Sequence, residues 1–321
     1  MNKNDKIFVA GSTGMVGSAI IRLLLKKGFT NIIGSINRRK PRQTEGVQYV
    51  KINLLDYNDV AAFYEKEKPD YVFDAAAKVG GIVANNIYRG QFLFENLQIQ
   101  NNIIHNAYLH KVKKLLFLGS SCIYPKDSPQ PIKEEYLLTG KLENTNEPYA
   151  IAKIAGLKMC ESYNRQYGTN FISAMPTNLY GTADSYDPQN SHVFPALIRK
   201  FHEAKIAGAP NVTIWGTGAP MREFMHVDDL AAALFHLMEN YEGNEFFNIG
   251  WGKDISIKDL ALLIKDVIGY EGELVFDTSK PDGTFRKLLD VSRLTALGFT
   301  PSISIRDGIA DSYKDFKDNY T

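Results

Sequence analysis

Residues 6–28 read KIFVAGSTGMVGSAIIRLLLKKG. An apolar run, IFVA, stops at a glycine, and the segment after it carries apolar residues at helical spacing as far as Gly28. Between them lies Gly11-Ser12-Thr13-Gly14-Met15-Val16-Gly17, a G-x-x-G-x-x-G spacing. The glycines alone describe many turns. A strand before them and an apolar helix after them make a dinucleotide site: glycines allow a pyrophosphate to approach the backbone, and the free N–H groups of the helix start bind its charge. This stretch predicts a doubly wound α/β fold.

The chain on either side agrees. Segments 31–36, 47–52, 70–76, 113–119 and 170–176 read as apolar strands, and 57–68, 89–110 and 148–168 as the helices between them. Apolar strands alternating with helices imply a parallel sheet covered on both faces. After about residue 180 the pattern changes. Segment 181–222 is rich in Gly, Pro, Asn, Asp and Ser around one helical stretch, 193–207; strands return at 222–227 and 245–250, and helices at 227–240, 256–268 and 304–317. The expected organisation is a dinucleotide-binding domain over 1–180, with returning segments near 222–250, and a smaller α/β substrate domain made mainly of 181–321.

Composition narrows the function. Lys plus Arg is 37 and Asp plus Glu 36, so no global field favours nucleic acid or an acidic membrane. Two cysteines cannot build a disulfide framework, the opening residues lack a signal-peptide core, and no apolar run approaches the ~18 residues of a membrane span, so the cytoplasm is the expected compartment. There is no P-loop, and the histidines show no metal-ligand spacing.

The end of the second strand reads Ser35-Ile36-Asn37-Arg38-Arg39-Lys40, with no acid before Glu45. An acid there would bind a ribose 2′-hydroxyl, whereas cations meet a 2′-phosphate. NADPH is the expected cofactor, with Arg38 and Arg39 at its phosphate; the competing reading is an ordinary solvated loop.

Tyr149 and Lys153 stand four apart in a helical segment and so share a face. A phenol of pKa about 10 is a poor acid at neutral pH, and a nearby ammonium lowers that value. Such a tyrosine can protonate an alkoxide while a nicotinamide delivers hydride. Tyr64/Lys68 and Tyr313/Lys317 repeat the spacing inside charged segments and read as solvated helix faces. Tyr149 differs because Ser120 ends a strand, and strand C-termini face the cofactor crevice. Ser120 is placed to hydrogen-bond a substrate carbonyl.

The glycine loop, Ser120 and Tyr149-x-x-x-Lys153 resemble the extended short-chain dehydrogenase/reductases. AAAKVGGIVANN (75–86), LGSSCIYP (118–125), NEPYAIAKIAG (146–156), MPTNLYG (175–181), NSHV (190–193), PMREFMHVDD (220–229) and SKPDGTFRKLLDV (279–291) resemble the GDP-L-fucose synthases within them. The resemblance implies a Rossmann-like fold and an enzyme that epimerises C3 and C5 of GDP-4-keto-6-deoxy-D-mannose and then reduces C4 with NADPH. It makes Ser120, Tyr149 and Lys153 the reductase triad and Cys122 and His192 the acid/base pair. Leu118, Gly119, Ser120 and Ser121, with Lys153 and His192, would touch the cofactor, and Pro176, Thr177, Asn178 and Leu179 would line its nicotinamide. Lys200, Trp215, Arg222 and Asp282 would bind the GDP-sugar. Family members are homodimers through helices corresponding to 89–110 and 148–168.

The chemistry stands without the name. A C4 ketone acidifies the protons on C3 and C5, and epimerisation needs one group to remove a proton and another to return one. Cys122 lies two residues past Ser120, and its thiol can serve as base if Lys153 or His192 lowers its pKa. His192 suits proton return. Plainer roles compete. Cys122, like Cys160, can be a buried small hydrophobe. His192 can cap a helix, Arg222 can join a structural ion pair, and Trp215 can be core where the functional role is stacking on guanine. A sugar-nucleotide dehydratase or 4-epimerase is a rival, but dehydratases typically carry an acid where this chain has Ser121-Cys122-Ile123. A reductase of another GDP-4-keto sugar, such as a heptose or dideoxy sugar, is the closer one. A non-catalytic NADP-binding sensor would not need Tyr149, Lys153, Cys122 and His192 together.

Overall fold

The computed structural model of the chain describes residues 1–37, 39–188, 191–280 and 282–320. Its first half builds strands β1 (Ile7–Ala10), β2 (Ile32–Ile36), β3 (Val47–Lys51), β4 (Tyr71–Asp74), β5 (Lys114–Leu118) and β6 (Phe171–Pro176), with helices α1 (Met15–Lys26), α2 (Tyr57–Glu67), α3 (Ile82–Ile87), α4 (Arg89–Leu109) and α5 (Glu147–Tyr167) between them. The second half adds β7 (Asn178–Tyr180), α6 (Val193–Ala207), β8 (Asn211–Trp215), β9 (Met221–His226), α7 (Val227–Asn240), β10 (Phe247–Ile249), β11 (Asp254–Ser256), α8 (Ile257–Ile268), β12 (Glu273–Asp277), β13 (Arg286–Lys287), α9 (Ser292–Ala296) and α10 (Ile305–Tyr320). Helices 193–207 and 227–240 begin and end where the sequence places them.

Seven parallel strands run in the order β10-β6-β5-β4-β1-β2-β3. The order reverses between β1 and β4, which opens a crevice at the strand C-termini. This is the Rossmann-like arrangement. One core joins the sheet to α2, α4 and α5 through Phe63, Ile103 and Leu157; the other joins it to α1 and α7 through Ile20 and Leu234. Two covered faces explain why β1, β5 and β6 are buried at every position and almost wholly apolar. A third core packs α6, α8 and α10 around Phe194, Phe201 and Ile264.

The second half supplies a small sheet centred on β9. Its C-terminal half pairs with β7, and its N-terminal half pairs with β11 and β13. β8 and β12 form a separate parallel pair. Among the described residues no helix is long and apolar enough to cross a membrane.

One expectation fails. Tyr64 does not lie on a solvated helix face; it is fully buried, edge-on to Phe8, because α2 turns that side onto the sheet. Only its spacing partner Lys68 remains at the surface, ending the helix in a left-handed conformation.

Candidate active site

The glycine loop has the shape a dinucleotide needs. Gly11 takes a φ of +73°, and a Cβ there would lie 2.8 Å from the Ala75 carbonyl oxygen. A Cβ on Gly17 would run into the Gly11 carbonyl, so α1 can start tightly against the loop only with glycine there. The loop is tied to the end of β2: Ser35 Oγ accepts the Gly11 N–H at 2.9 Å, and Ser12 Oγ donates to the Ser35 carbonyl at 2.6 Å. Gly14, Met15 and Val16 then form the helix start, where N–H groups gather without a side-chain cap. The cradle fits a bound dinucleotide.

At the adenosine end, Arg38 lies outside the described residues. Arg39 is exposed, and its charge reaches Asp184, whose buried carboxyl is pushed up to about 7 by burial against the pull of the Ser185 N–H and Arg39. Arg42 pairs with Asp315 at 2.5 Å, which docks this basic loop on α10.

Lys153 is buried on α5. Its Nζ donates to the Leu118 carbonyl at 2.7 Å and lies 4.7 Å from the Phe117 ring centroid and 5.8 Å from that of Tyr149. The expected lowering of the Tyr149 phenol is not seen. Burial, reinforced by Cys122, holds its hydroxyl well above the usual value, while the Lys153 ammonium is hydrogen-bonded to the Leu118 carbonyl. A phenol that keeps its proton suits the donor in a reduction.

Ser120 and Cys122 occupy the turn after β5, in a short 3-10 helix over Ser121–Ile123. Gly119 lets that turn pass Met175, and its N–H donates to the Ala174 carbonyl at 2.8 Å. Ser120 Oγ accepts the Cys122 N–H at 3.3 Å. Burial pushes the Cys122 thiol up, while Lys287, the Ser120 hydroxyl and Lys153 pull it back. Cys160 on α5 is buried without a nearby cation and is pushed up to about 12. Burial raises both thiols, but only Cys122 has lysines, Lys287 and Lys153, opposing the rise; His192 is not among the groups that act on it. His192 precedes α6 but makes no side-chain cap, so that competing role is absent. Its outer surface is exposed, while the protein around the rest disfavours the imidazolium and lowers its pKa. Among the described residues no hydrogen bond joins it to Cys122.

Beyond Pro176 the chain crosses to β9. Thr177 donates its N–H to the Ile249 carbonyl at 2.9 Å; Thr177 Oγ1 and Asn178 Nδ2 both donate to the Glu223 carbonyl, at 3.3 and 2.9 Å. Leu179 follows on β7 in register with Met225. Segment 176–179 is thus fastened to the strand that carries Arg222.

Arg222 is half-buried, and its Nη1 donates to the Met221 carbonyl at 2.7 Å. Among the described residues it has no ion-pair partner, which removes the structural alternative. Its register partner on β13 is Lys287. Burial lowers the Lys287 ammonium; Arg222 lowers it further, against Cys122 and Glu223. Among the described residues neither Arg222 nor Lys287 makes a salt bridge, so the two adjacent cations are available to an anion. Trp215 is not core: 69% of it is exposed at the end of β8, with Lys200 Nζ 6.0 Å and Lys280 Nζ 5.7 Å from its ring centroid. Lys200, Trp215, Asn211 and Thr213 line an open cleft of about 470 Å³. Asp282 accepts from Thr217 N–H and Oγ1 at 2.9 and 2.7 Å, so it shapes the turn after Trp215.

Sequence reasoning missed Lys287 and Glu223. Lys287 lies in a string already singled out, FRKLLD, where a charged residue reads as solvated. Only its pairing with β9 places it beside Cys122. Glu223 is fully buried, accepting N–H bonds from Gly252 and Leu289 at 2.7 and 3.1 Å, and is pushed up to about 7 by burial. The signal available was an acid inside an apolar strand run, REFMHV.

Comparison with known proteins gives a consistent set. Residues 7–250 match the NAD dependent epimerase/dehydratase family. GDP-L-fucose synthase 1 of Arabidopsis thaliana is 56% identical over 97% of this chain and 93% of that protein. GDP-L-fucose synthase of Escherichia coli K12 is 53% identical over 98% of this chain and 97% of that protein. The solved structure of a GDP-mannoheptose C4 reductase from Campylobacter jejuni with NADP bound superposes with a TM-score of 0.87, at 41% identity over 99% of both chains.

Proposed function

We propose that this chain, which belongs to the NAD dependent epimerase/dehydratase family, catalyses the GDP-L-fucose synthase reaction: epimerisation of GDP-4-keto-6-deoxy-D-mannose at C3 and C5, followed by reduction at C4 with NADPH. The observation that carries the reading is the Ser120 turn. Cys122 stands on this turn, Lys153 on α5 reaches the Leu118 carbonyl just before it, and both Lys153 and Lys287 act on the thiol, which supports a shared pocket for base and proton donor.

Arg222 and Lys287 neutralise the diphosphate, and Lys200 and Trp215 hold the nucleoside end. Ser120 and Tyr149 hydrogen-bond the C4 oxygen. Cys122, as thiolate, removes the proton from C3 or C5, and the charge passes to the C4 oxygen, where both donors stabilise it. His192 returns a proton on the opposite face. When bound, NADPH supplies hydride to C4. Tyr149 gives its proton to the resulting C4 oxygen, and Lys153 supports the phenolate left behind. Arg38 and Arg39 select the 2′-phosphate.

The third core and its cleft form the sugar-nucleotide half of the enzyme in this reading. Phe94 and Leu109 on α4, with Ile151 and Tyr167 on α5, stand exposed on adjacent helices, which supports a homodimer through this face. Free cysteines and the absence of a spanning helix among the described residues support a cytoplasmic enzyme.

The test is to incubate the protein with GDP-4-keto-6-deoxy-D-mannose and NADPH and to identify the product by mass spectrometry and NMR. GDP-L-fucose is expected. Recovery of a C4-reduced sugar with C3 and C5 unchanged would favour the second reading, a reductase of another GDP-4-keto sugar, which the Campylobacter structure brings forward. Arg222→Ala is expected to raise KM for the GDP-sugar and weaken free GDP by about 1.5–3 kcal/mol, with NADPH affinity unchanged. Unaltered GDP binding in calorimetry would remove Arg222 from the diphosphate site.

A further inference from the structure

Asp74 ends β4, next to β5, whose Leu118 carbonyl accepts from Lys153 of α5. Asp74 is buried, its Oδ1 accepts the Ala76 N–H at 3.3 Å, and its Oδ2 has no hydrogen-bond partner. A carboxylate left this way is costly at a position where the strand is otherwise apolar, YVFDAA. Its register partner on β5 is Phe117, the residue over whose ring the Lys153 Nζ sits at 4.7 Å. Lys153 donates to the neighbouring Leu118 carbonyl and makes no salt bridge among the described residues; Asp74 is the carboxyl whose charge acts on it. The titratable groups around Asp74 are Lys153 and Cys160 on α5 and Tyr64 on α2. Only one of these is a cation.

We infer that Asp74 is the positioning counter-ion of Lys153, keeping it an ammonium held at the Leu118 carbonyl so that it can serve Tyr149. The two groups act on each other as that role requires. Burial lowers the Lys153 ammonium and Asp74 raises it again; burial pushes Asp74 up to about 7 and Lys153 opposes the rise. Without the carboxylate only Cys122, when it is a thiolate, offsets the burial of the ammonium among the described residues, and a neutral amine cannot support a phenolate.

The inference deepens the reductase reading and rests on it for catalysis, so the test has two arms. The first needs no substrate. The Lys153 Nζ is titrated by NMR in protein labelled with ¹⁵N-lysine, its signal identified by its loss in Lys153→Met. Asp74→Asn and Asp74→Leu are both expected to move that titration to lower pH by about 1–3 pH units, since an opposite charge has been removed. The second arm follows kcat for NADPH oxidation with the GDP-4-keto sugar. Its alkaline limb is expected to move down by the same amount in both variants. Folding is not the obstacle. Asp74 titrates higher folded than unfolded, so its contribution to stability is full below the unfolded value and is lost as pH rises through about 7. At pH 8 neither variant should melt below the parent. An unmoved Nζ titration in both variants overturns the proposal, as does a lower melting temperature with equal loss of kcat at every pH, which would mark a packing residue. If the parent does not reduce the GDP-4-keto sugar, the functional reading fails while the NMR arm still decides the role of Asp74.

Discussion

Tyr149→Phe is expected to abolish NADPH oxidation while deuterium still enters C3 and C5 from solvent. In the proposed mechanism the phenol gives a proton to the C4 oxygen as hydride arrives, and burial keeps it protonated at neutral pH. Removing a general acid commonly lowers a rate by 10²–10⁴-fold, so a loss on the order of a thousandfold in kcat is expected. Enolisation should survive in part, because Ser120 remains at the C4 oxygen. NADPH binding should be unchanged, since the glycine loop and Lys153 are intact. Stopped-flow absorbance for reduction and NMR for wash-in check both halves on one sample. Equal loss of both would mean that Tyr149 holds the substrate and does not donate the proton.

Cys122→Ala should give the opposite pattern. Deuterium entry at C3 and C5 is expected to fall by 10²–10⁴-fold, while slow reduction of the unepimerised ketone continues. The parent's exchange rate should also climb with pH. Burial holds the thiol above its usual value, so little thiolate exists at neutrality, and each rise in pH supplies more base. Lys287→Met removes the largest opposing influence and should move that climb to higher pH. Parental exchange in Cys122→Ala would reduce Cys122 to a packing residue and leave the epimerase half without its base.

The first six strands and most of the helices could be read from periodicity, because a two-sided sheet makes each strand a plain apolar run. The glycine loop and the Tyr149–Lys153 pair were legible for a related reason: their spacing is local. What escaped depends on distant partners. β13 is two residues long and exists only through β9, some 65 positions earlier in its register. Lys287 therefore looked like a solvated charge. Tyr64 was misjudged because its charged neighbours hid the one buried face of α2. Asp74 lies inside a string already singled out, yet nothing in that string says that Lys153 packs across the next strand.

The pairing of β13 with β9 also bears on how the molecule is made. Residues up to β6 supply six of the seven parallel strands and the whole glycine cradle. The surroundings of Cys122 are complete only when Lys287 and the Ile132–Leu289 bridge have been laid down more than a hundred residues later. At roughly 5–20 residues per second, a ribosome takes on the order of ten seconds to cover that distance. During this interval a nascent chain has the glycine cradle and Lys153 but lacks Lys287, the larger of the two lysine influences on its thiol. Reactivity at Cys122 is in this sense a late product of synthesis, and a chain cut short before β13 would carry the cradle without a tuned base.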